Sequence, residues 1–150
     1  MDEPVLRRAR PDELDIATLY ALLRLRVEVF VVEQACPYPE LDGRDLDPST
    51  EHLWLAPQGA PTTVLSYLRL LRDGDTYRIG RVCTVRHARG TGLAAVLMRA
   101  ALDAIGGAPC VLDAQTYLAG FYAAHGFSVA GEEFMEDGIP HVPMRRDPVS

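Results

Sequence analysis

Apolar and polar positions divide the chain into short, mixed elements. Residues 5–10 suit a short strand. Pro11 and Asp12 then predict a helix start with Asp12 as its N-cap. Ile16, Leu19, Tyr20, Leu23, Val27 and Phe30 recur mostly three and four apart, the spacing of one helical face. Residues 36–50 break that rhythm with Pro37, Pro39, Gly43 and Pro48, and read as a loop. Loops of this length in a compact domain are usually functional or mobile.

A run of strands follows. Residues 52–56 and 62–71 predict two strands, and Asp73-Gly74-Asp75 predicts a hairpin turn into a third over 77–85. Residues 90–105 predict a helix with a Leu/Ala/Val/Met face, stopped by Gly106 and Gly107. A strand over 111–114, a helix over 116–125 ended by Gly126, and strands over 127–130 and 141–144 complete the chain, with residues 137–140 as the last turn. The fold class expected is mixed α/β, with hairpins early and strand–helix–strand crossovers late.

Length and charge narrow the function classes. The 150 residues suit one domain over 1–150, and 48% apolar with 24% charged residues is the composition of a soluble globular protein. Arg24, Arg26, Arg69 and Arg72 interrupt the best apolar runs, so no membrane span is expected, nor a secretory signal at the polar start. The net charge is −6 and all fifteen cations are arginine. The lack of lysine excludes Schiff-base and P-loop lysine chemistry, and the acidic balance argues against nucleic acid as a partner. Cys36, Cys83 and Cys110 are read as free thiols in a reducing cytoplasm. His52, His87, His125 and His141 lack metal-ligand spacing, so no metal is expected.

The most informative segment is 82–95, where a strand enters a glycine turn and a helix begins. Unpaired N–H groups and the positive end of a helix dipole favour anions, and Gly90 and Gly92 let phosphate oxygens approach the backbone. Arg89 adds a cation at the mouth. A plain helix start would use the same glycines. Gly90 to Ala95 also fit the dinucleotide fingerprint G-x-G-x-x-A, with Asp113 downstream as a ribose-binding acid. That nicotinamide reading is disfavoured, because too little chain follows Asp113 to finish such a fold.

The other fit is Arg-x-x-Gly-x-Ala, carried by Arg89, Gly92 and Ala94. Here the chain resembles the GNAT superfamily of N-acetyltransferases. Gln115 stands seven residues before Tyr122 in Phe121-Tyr122-Ala123-Ala124-His125-Gly126-Phe127, similar to the family's Asn and F-Y-x-x-x-G-F pair with Gln in place of Asn. The blocks from Glu28 to Gln34, from Cys36 to Tyr38 and from Glu136 to His141 resemble the ElaA-like branch. The resemblance implies a single-domain GNAT fold: a twisted mixed sheet flanked by helices and splayed where the cofactor enters. It implies acetyl transfer from acetyl-CoA to a small-molecule or peptide amine. A homodimer stays open, and so does a non-catalytic acyl-CoA-binding module on the same fold.

By that resemblance Arg89, Gly90, Thr91, Gly92, Leu93, Ala94 and Ala95 would hold the pyrophosphate. Val82, Cys83 and Thr84 would pair with the pantetheine arm and polarise the thioester carbonyl, and Gln115 would contact the pantetheine. Tyr122 would be the acid for the departing thiolate. Glu33, His52 and His141 are candidates for the base that takes the amine's proton. Cys83 is alternatively a nucleophile, which direct transfer does not need. Trp54, with apolar neighbours on both sides, reads as a core strand residue. From Glu33 to Glu51 six acids face one cation, a local charge of −5, which is either a solvated loop or a lid that draws in a cationic amine.

Overall fold

In the computed structural model, which describes residues 3–148, eight strands form one sheet with helices on both faces. The strands are β1 (Pro4–Ala9), β2 (Glu51–Pro57), β3 (Ser66–Asp73), β4 (Thr76–Thr84), β5 (Cys110–Gln115), β6 (Ser128–Val129), β7 (Phe134–Glu136) and β8 (Ile139–Arg146). The helices are α1 (Ile16–Arg26), α2 (Leu93–Ile105) and α3 (Ala119–Ala123). The strand order is β1-β2-β3-β4-β5-β8-β6, with β7 also on β8. Every pair is antiparallel except β4–β5, for which α2 is the crossover that a parallel pair requires.

Both faces of the central sheet are buried, so β2 and β3 are nearly unbroken runs of buried residues. On one face Leu53, Leu68, Leu70 and Ile79 meet Leu97, Met98 and Ala101 of α2, together with Tyr122 and Phe127. On the other, Trp54, Ala56, Tyr67 and Cys83 meet Leu22, Leu25 and Val29. Burying a Leu or Met side chain in this way contributes roughly 1.5–3 kcal/mol. Fully buried Leu97 and Met98 therefore pin α2, and with it the turn that precedes it.

The first helix departs from its expected outline. Pro11–Glu13 makes one 3₁₀ turn, and α1 begins behind Asp15, whose carboxylate accepts from the Thr18 N–H at 2.7 Å. Asp15, not Asp12, is the cap. The expected apolar face is turned as well: Ile16 and Tyr20 are 88% and 70% exposed, while Leu22, Leu25, Arg26 and Val29 are buried. Apolar residues lie on every side of α1, so periodicity alone does not choose the buried side. The helix winds on in π-helical form over Val27–Glu33, which ends beside the sheet's opening.

Two further elements differ from expectation. β7 carries no buried position and left no alternation to read, yet it forms a hairpin with β8. Its turn is Asp137-Gly138, both at positive φ (52° and 79°) as a two-residue hairpin turn needs; Ile139 and Pro140 already belong to β8. The helix expected over 116–125 is a 3₁₀ turn at Thr116–Leu118 followed by the short α3.

Candidate active site

β4 and β5 pair at only two positions, Tyr77 with Cys110 and Arg78 with Val111. Beyond them the strands part. The cause lies in β4: between the Tyr67–Cys83 and Arg69–Gly80 pairs, one residue of β3 faces two of β4. Such a bulge bends its strand and increases the local twist. Arg81, in the bulge, takes a left-handed φ of 56°, costing roughly 1–2 kcal/mol for a non-glycine residue. Its guanidinium is held by Glu40 (Nε to Oε2, 2.9 Å). The result is a cleft of about 590 Å³ lined by residues of both strands, among them Val82, Cys83, Thr84, Leu112 and Gln115.

One flank of the cleft is built from backbone. The Val96 N–H makes the first bond of α2, to the Gly92 carbonyl at 3.2 Å, so the N–H groups of Leu93, Ala94 and Ala95 have no partner within the helix. Gly90 and Gly92 sit at φ 79° and 85°, and a Cβ at either would meet nothing within 4 Å. Open space in front of unpaired donors at a helix start suits a phosphate. Arg89 crosses the mouth, its Nε donating to the Thr84 carbonyl at 2.9 Å and its two Nη atoms to Glu33 at 2.7 and 2.8 Å. Because Val85 pairs with Leu65, ladder alternation turns the polar groups of Cys83 toward β3 and those of Thr84 toward the cleft. The residues present thus fit a pyrophosphate with an extended arm along β4.

The two faces of the sheet bring different chemistry to the opening. Directly opposed residues of an antiparallel pair share a face. Ala114 and Val142 face the α2-side core, so their neighbours Gln115 and His141 face the α1 side. Tyr122 belongs to the α2-side core, edge-on to Phe121 at 5.1 Å and Phe127 at 6.5 Å. Both Tyr122 and His141 line the cleft, from opposite faces. Burial pushes the Tyr122 phenol up, which keeps it protonated at neutral pH.

The acidic loop is not a run of free solvated charge: Glu40, Asp42 and Asp45 are paired with arginines, which leaves these three little charge to draw in a cationic amine. Arg26, fully buried, donates to Glu40 Oε2 at 2.6 Å and to Asp45 Oδ1 at 2.5 Å. Arg69 reaches Asp42 Oδ2 at 2.8 Å and Asp45 Oδ1 at 3.1 Å, and Arg81 joins through Glu40. Three arginines from α1, β3 and β4 thus neutralise three loop carboxylates and clamp the loop over the α1 side of the cleft. Burial would raise the Asp42 carboxyl, but hydrogen bonds from Arg69 and the Arg44 N–H bring it down to about 2. This network is also why α1 turns Arg26 inward.

Comparison with known proteins agrees with this geometry. Residues 19–148 match the acetyltransferase (GNAT) domain family. A UPF0039 protein of Mycobacterium tuberculosis is 56% identical over 143 residues, covering 94% of this chain and 92% of that protein. This chain belongs to the GNAT acetyltransferase family. Two crystal structures superpose with a TM-score of 0.89. One is an acyl-CoA N-acyltransferase from Pseudomonas aeruginosa, 42% identical, covering 96% of this chain and 99% of that one. The other is Escherichia coli ElaA, 35% identical, covering 97% and 100%. The branch is ElaA-like. The glycine turn is accordingly a GNAT turn, and the nicotinamide reading falls with it: a sheet with a single parallel pair is not a dinucleotide-binding fold.

The GNAT cleft sorts the candidate residues. Val82, Cys83, Thr84, Arg89, Ala94, Gln115 and Tyr122 line it, with Gly90, Thr91, Gly92, Leu93 and Ala95 in the turn and first turn of α2 at its rim. Among the three base candidates, Glu33 is bound to Arg89, whose hydrogen bonds hold its carboxyl below the usual range, so it is a poor proton acceptor at neutral pH. His52 is fully buried away from the cleft. Its Nε2 meets the Asp45 carbonyl at 3.0 Å and must donate, so its Nδ1 accepts from the Tyr67 hydroxyl at 2.6 Å. Neither nitrogen is left for a substrate, and burial lowers the ring's proton affinity. In His141 the Nδ1 meets the Ile139 carbonyl at 2.8 Å and donates, so the lone pair stands on Nε2. Cys83 is a core residue, 5% exposed, and burial pushes its thiol up, which disfavours the thiolate that a nucleophile needs. Trp54 is a core residue, 4% exposed.

Arginines 26, 69 and 81 were missed as architects of the site. Their signal was in view: Arg26 and Arg69 interrupt apolar runs in a chain whose longest loop is acidic.

Proposed function

We propose that this protein transfers an acetyl group from acetyl-CoA to an amine by direct attack in a ternary complex. The observation that carries the reading is the placement of Tyr122 and His141 on opposite faces of one splayed strand pair. Acetyl-CoA would supply an activated acyl thioester, held by the α2 turn and the edge of β4. His141 Nε2 takes the proton of the amine as it arrives from the α1 side. Tyr122, kept protonated by burial, donates its hydrogen bond to the departing sulfur from the α2 side. Thr84 and the bulge beside it offer backbone to the carbonyl, where a donor matters most as negative charge develops.

The test is thiol release from acetyl-CoA against a panel of alkylamines, polyamines, amino sugars and peptides. Turnover with any of them is the expected result. Tight CoA binding, measured as a rise in melting temperature, without turnover on the whole panel would assign a binding module instead. Stabilisation by NAD and not by acetyl-CoA would overturn both.

A further inference from the structure

We propose that Glu136 and His141 together anchor an acceptor that arrives as a charged alkylammonium. This rests on the transferase reading and adds the acceptor's charge state and the carboxylate that recognises it. Glu33, Asp42, Asp113 and Asp137 also line the cleft; the first three are already bound to Arg89, Arg69 and Arg78 respectively, and Asp137, in the hairpin turn, has no ion-pair contact with His141 among the described residues. Glu136 is different: its one ion-pair contact among the described residues is His141, at 3.8 Å from Oε2 to Nε2. That gap is too long for a hydrogen bond between the two. It is the right base for a triangle whose apex, about 2.8 Å from each atom, holds one ammonium nitrogen.

The rest of the β7–β8 hairpin holds this pair in place. The Ile139 carbonyl fixes the His141 tautomer, leaving the Nε2 lone pair for the nitrogen. Phe134 stacks on the ring at 5.7 Å with 24° between planes. The turn itself is tied to the α1 side of the cleft, because Cys36 Sγ donates to the Asp137 carbonyl at 3.2 Å. Glu136 attracts the ammonium; one N–H proton passes to His141 Nε2, and the freed lone pair forms the new N–C bond as the C–S bond breaks. The sulfur leaves as the thiol with the Tyr122 proton, and the second proton, shed by the new amide nitrogen, replaces it on Tyr122 through solvent. An alkylamine is protonated at neutral pH, with a pKa of about 10, and feels the carboxylate in full. Aniline is uncharged at neutral pH and does not.

The probes are n-butylamine and aniline, with the full chain at saturating acetyl-CoA. Glu136→Gln removes the charge from an exposed strand position and leaves the core untouched. The KM for n-butylamine rises about tenfold or more, the scale for losing a charge-assisted hydrogen bond, while the KM for aniline and the Kd for CoA stay unchanged. Glu136→Asp falls between. An equal change for both amines, or none for either, overturns the proposal. Calorimetry of n-butylammonium on the CoA-bound protein separates this failure from that of the transferase reading. Binding that Glu136→Gln weakens, with no thiol released from n-butylamine or any other amine of the panel, keeps the site and removes the transferase. Binding absent in the wild type, or equal in both proteins, overturns the site whatever the assay shows.

Discussion

On the α2 flank of the wedge, the groups facing the cleft are backbone: the Gly90–Gly92 turn and the first N–H groups of α2. On the α1 flank they are side chains, with Arg26, Arg69 and Arg81 set against Glu40, Asp42 and Asp45. The backbone flank needs few partners, because its donors are spare by the geometry of a helix start. The side-chain flank needs all of them, since a buried charge is tolerated only when paired. The same chain thus builds its two flanks by different means: a turn that fits an anion from local geometry, and a shaped wall from distant charges. A mutation on the first flank should cost binding, and one on the second should cost the fold.

The largest effect expected is on the charged flank. Arg26→Met takes from buried Glu40 and Asp45 one of the two arginines that each pairs with, leaving Arg81 and Arg69 to hold them, and should cost about 3 kcal/mol in urea unfolding followed through Trp54. Adding Glu40→Gln and Asp45→Asn should recover much of that loss. A loss of less than about 1 kcal/mol would show that the network is solvated after all.

On the backbone flank Gly92→Glu should do the reverse. A Cβ there meets nothing within 4 Å, and the left-handed φ costs roughly 1–2 kcal/mol. CoA affinity, measured by calorimetry, should fall at least a hundredfold, because a carboxylate stands where a phosphate belongs. Gly92→Ala carries the same strain without the charge and should lose far less. Equal losses would mean that backbone shape, not charge, governs the cradle.

Tyr122→Phe tests the junction of the two flanks. The ring and its packing remain, so CoA affinity should hold, while kcat falls about 10²-fold, the usual scale for losing a general acid. Unchanged turnover with chemistry rate-limiting would leave Tyr122 as a core aromatic.

The smallest effect is a pH dependence of stability from His52, beneath the charged flank. Its folded-state proton affinity is lowered by burial from the ordinary 6.5. The unfolded chain therefore takes up the proton first as pH falls. The stability is fully present above about pH 6.5 and is lost progressively below it. His52→Gln can still donate to Asp45 and accept from Tyr67, and should flatten the urea midpoint between pH 7 and 5. An unchanged slope would place the titration elsewhere. Asp42 acts in the same direction at lower pH: its contribution is present above about 3.8 and fades toward about 2.

Legibility in the sequence followed the range of each interaction. The strand–turn–helix at Val82 to Ala95 and the Gln115–Tyr122 spacing were readable, because each is decided within a few residues. β7 was not, since an exposed three-residue edge strand has no buried face to impose alternation. The charged flank was misread because its bonds join residues 14 to 41 apart in sequence, and composition shows only that six acids crowd one segment.

The sequence by itself determined most of the elements, though not β7, together with the GNAT turn and the short list of groups able to move protons. Propensity, turn chemistry and motif spacing are properties of neighbouring residues, and they survive without the rest of the fold. The tertiary structure decided which side of α1 is buried, where β4 bends and which candidate histidine lines the cleft with a lone pair left on Nε2. His52 and His141 are the same side chain with opposite fates. A ring nitrogen is donor or acceptor according to the atom it meets, and those atoms are supplied by Tyr67 and the Asp45 carbonyl in one case and by the Ile139 carbonyl in the other.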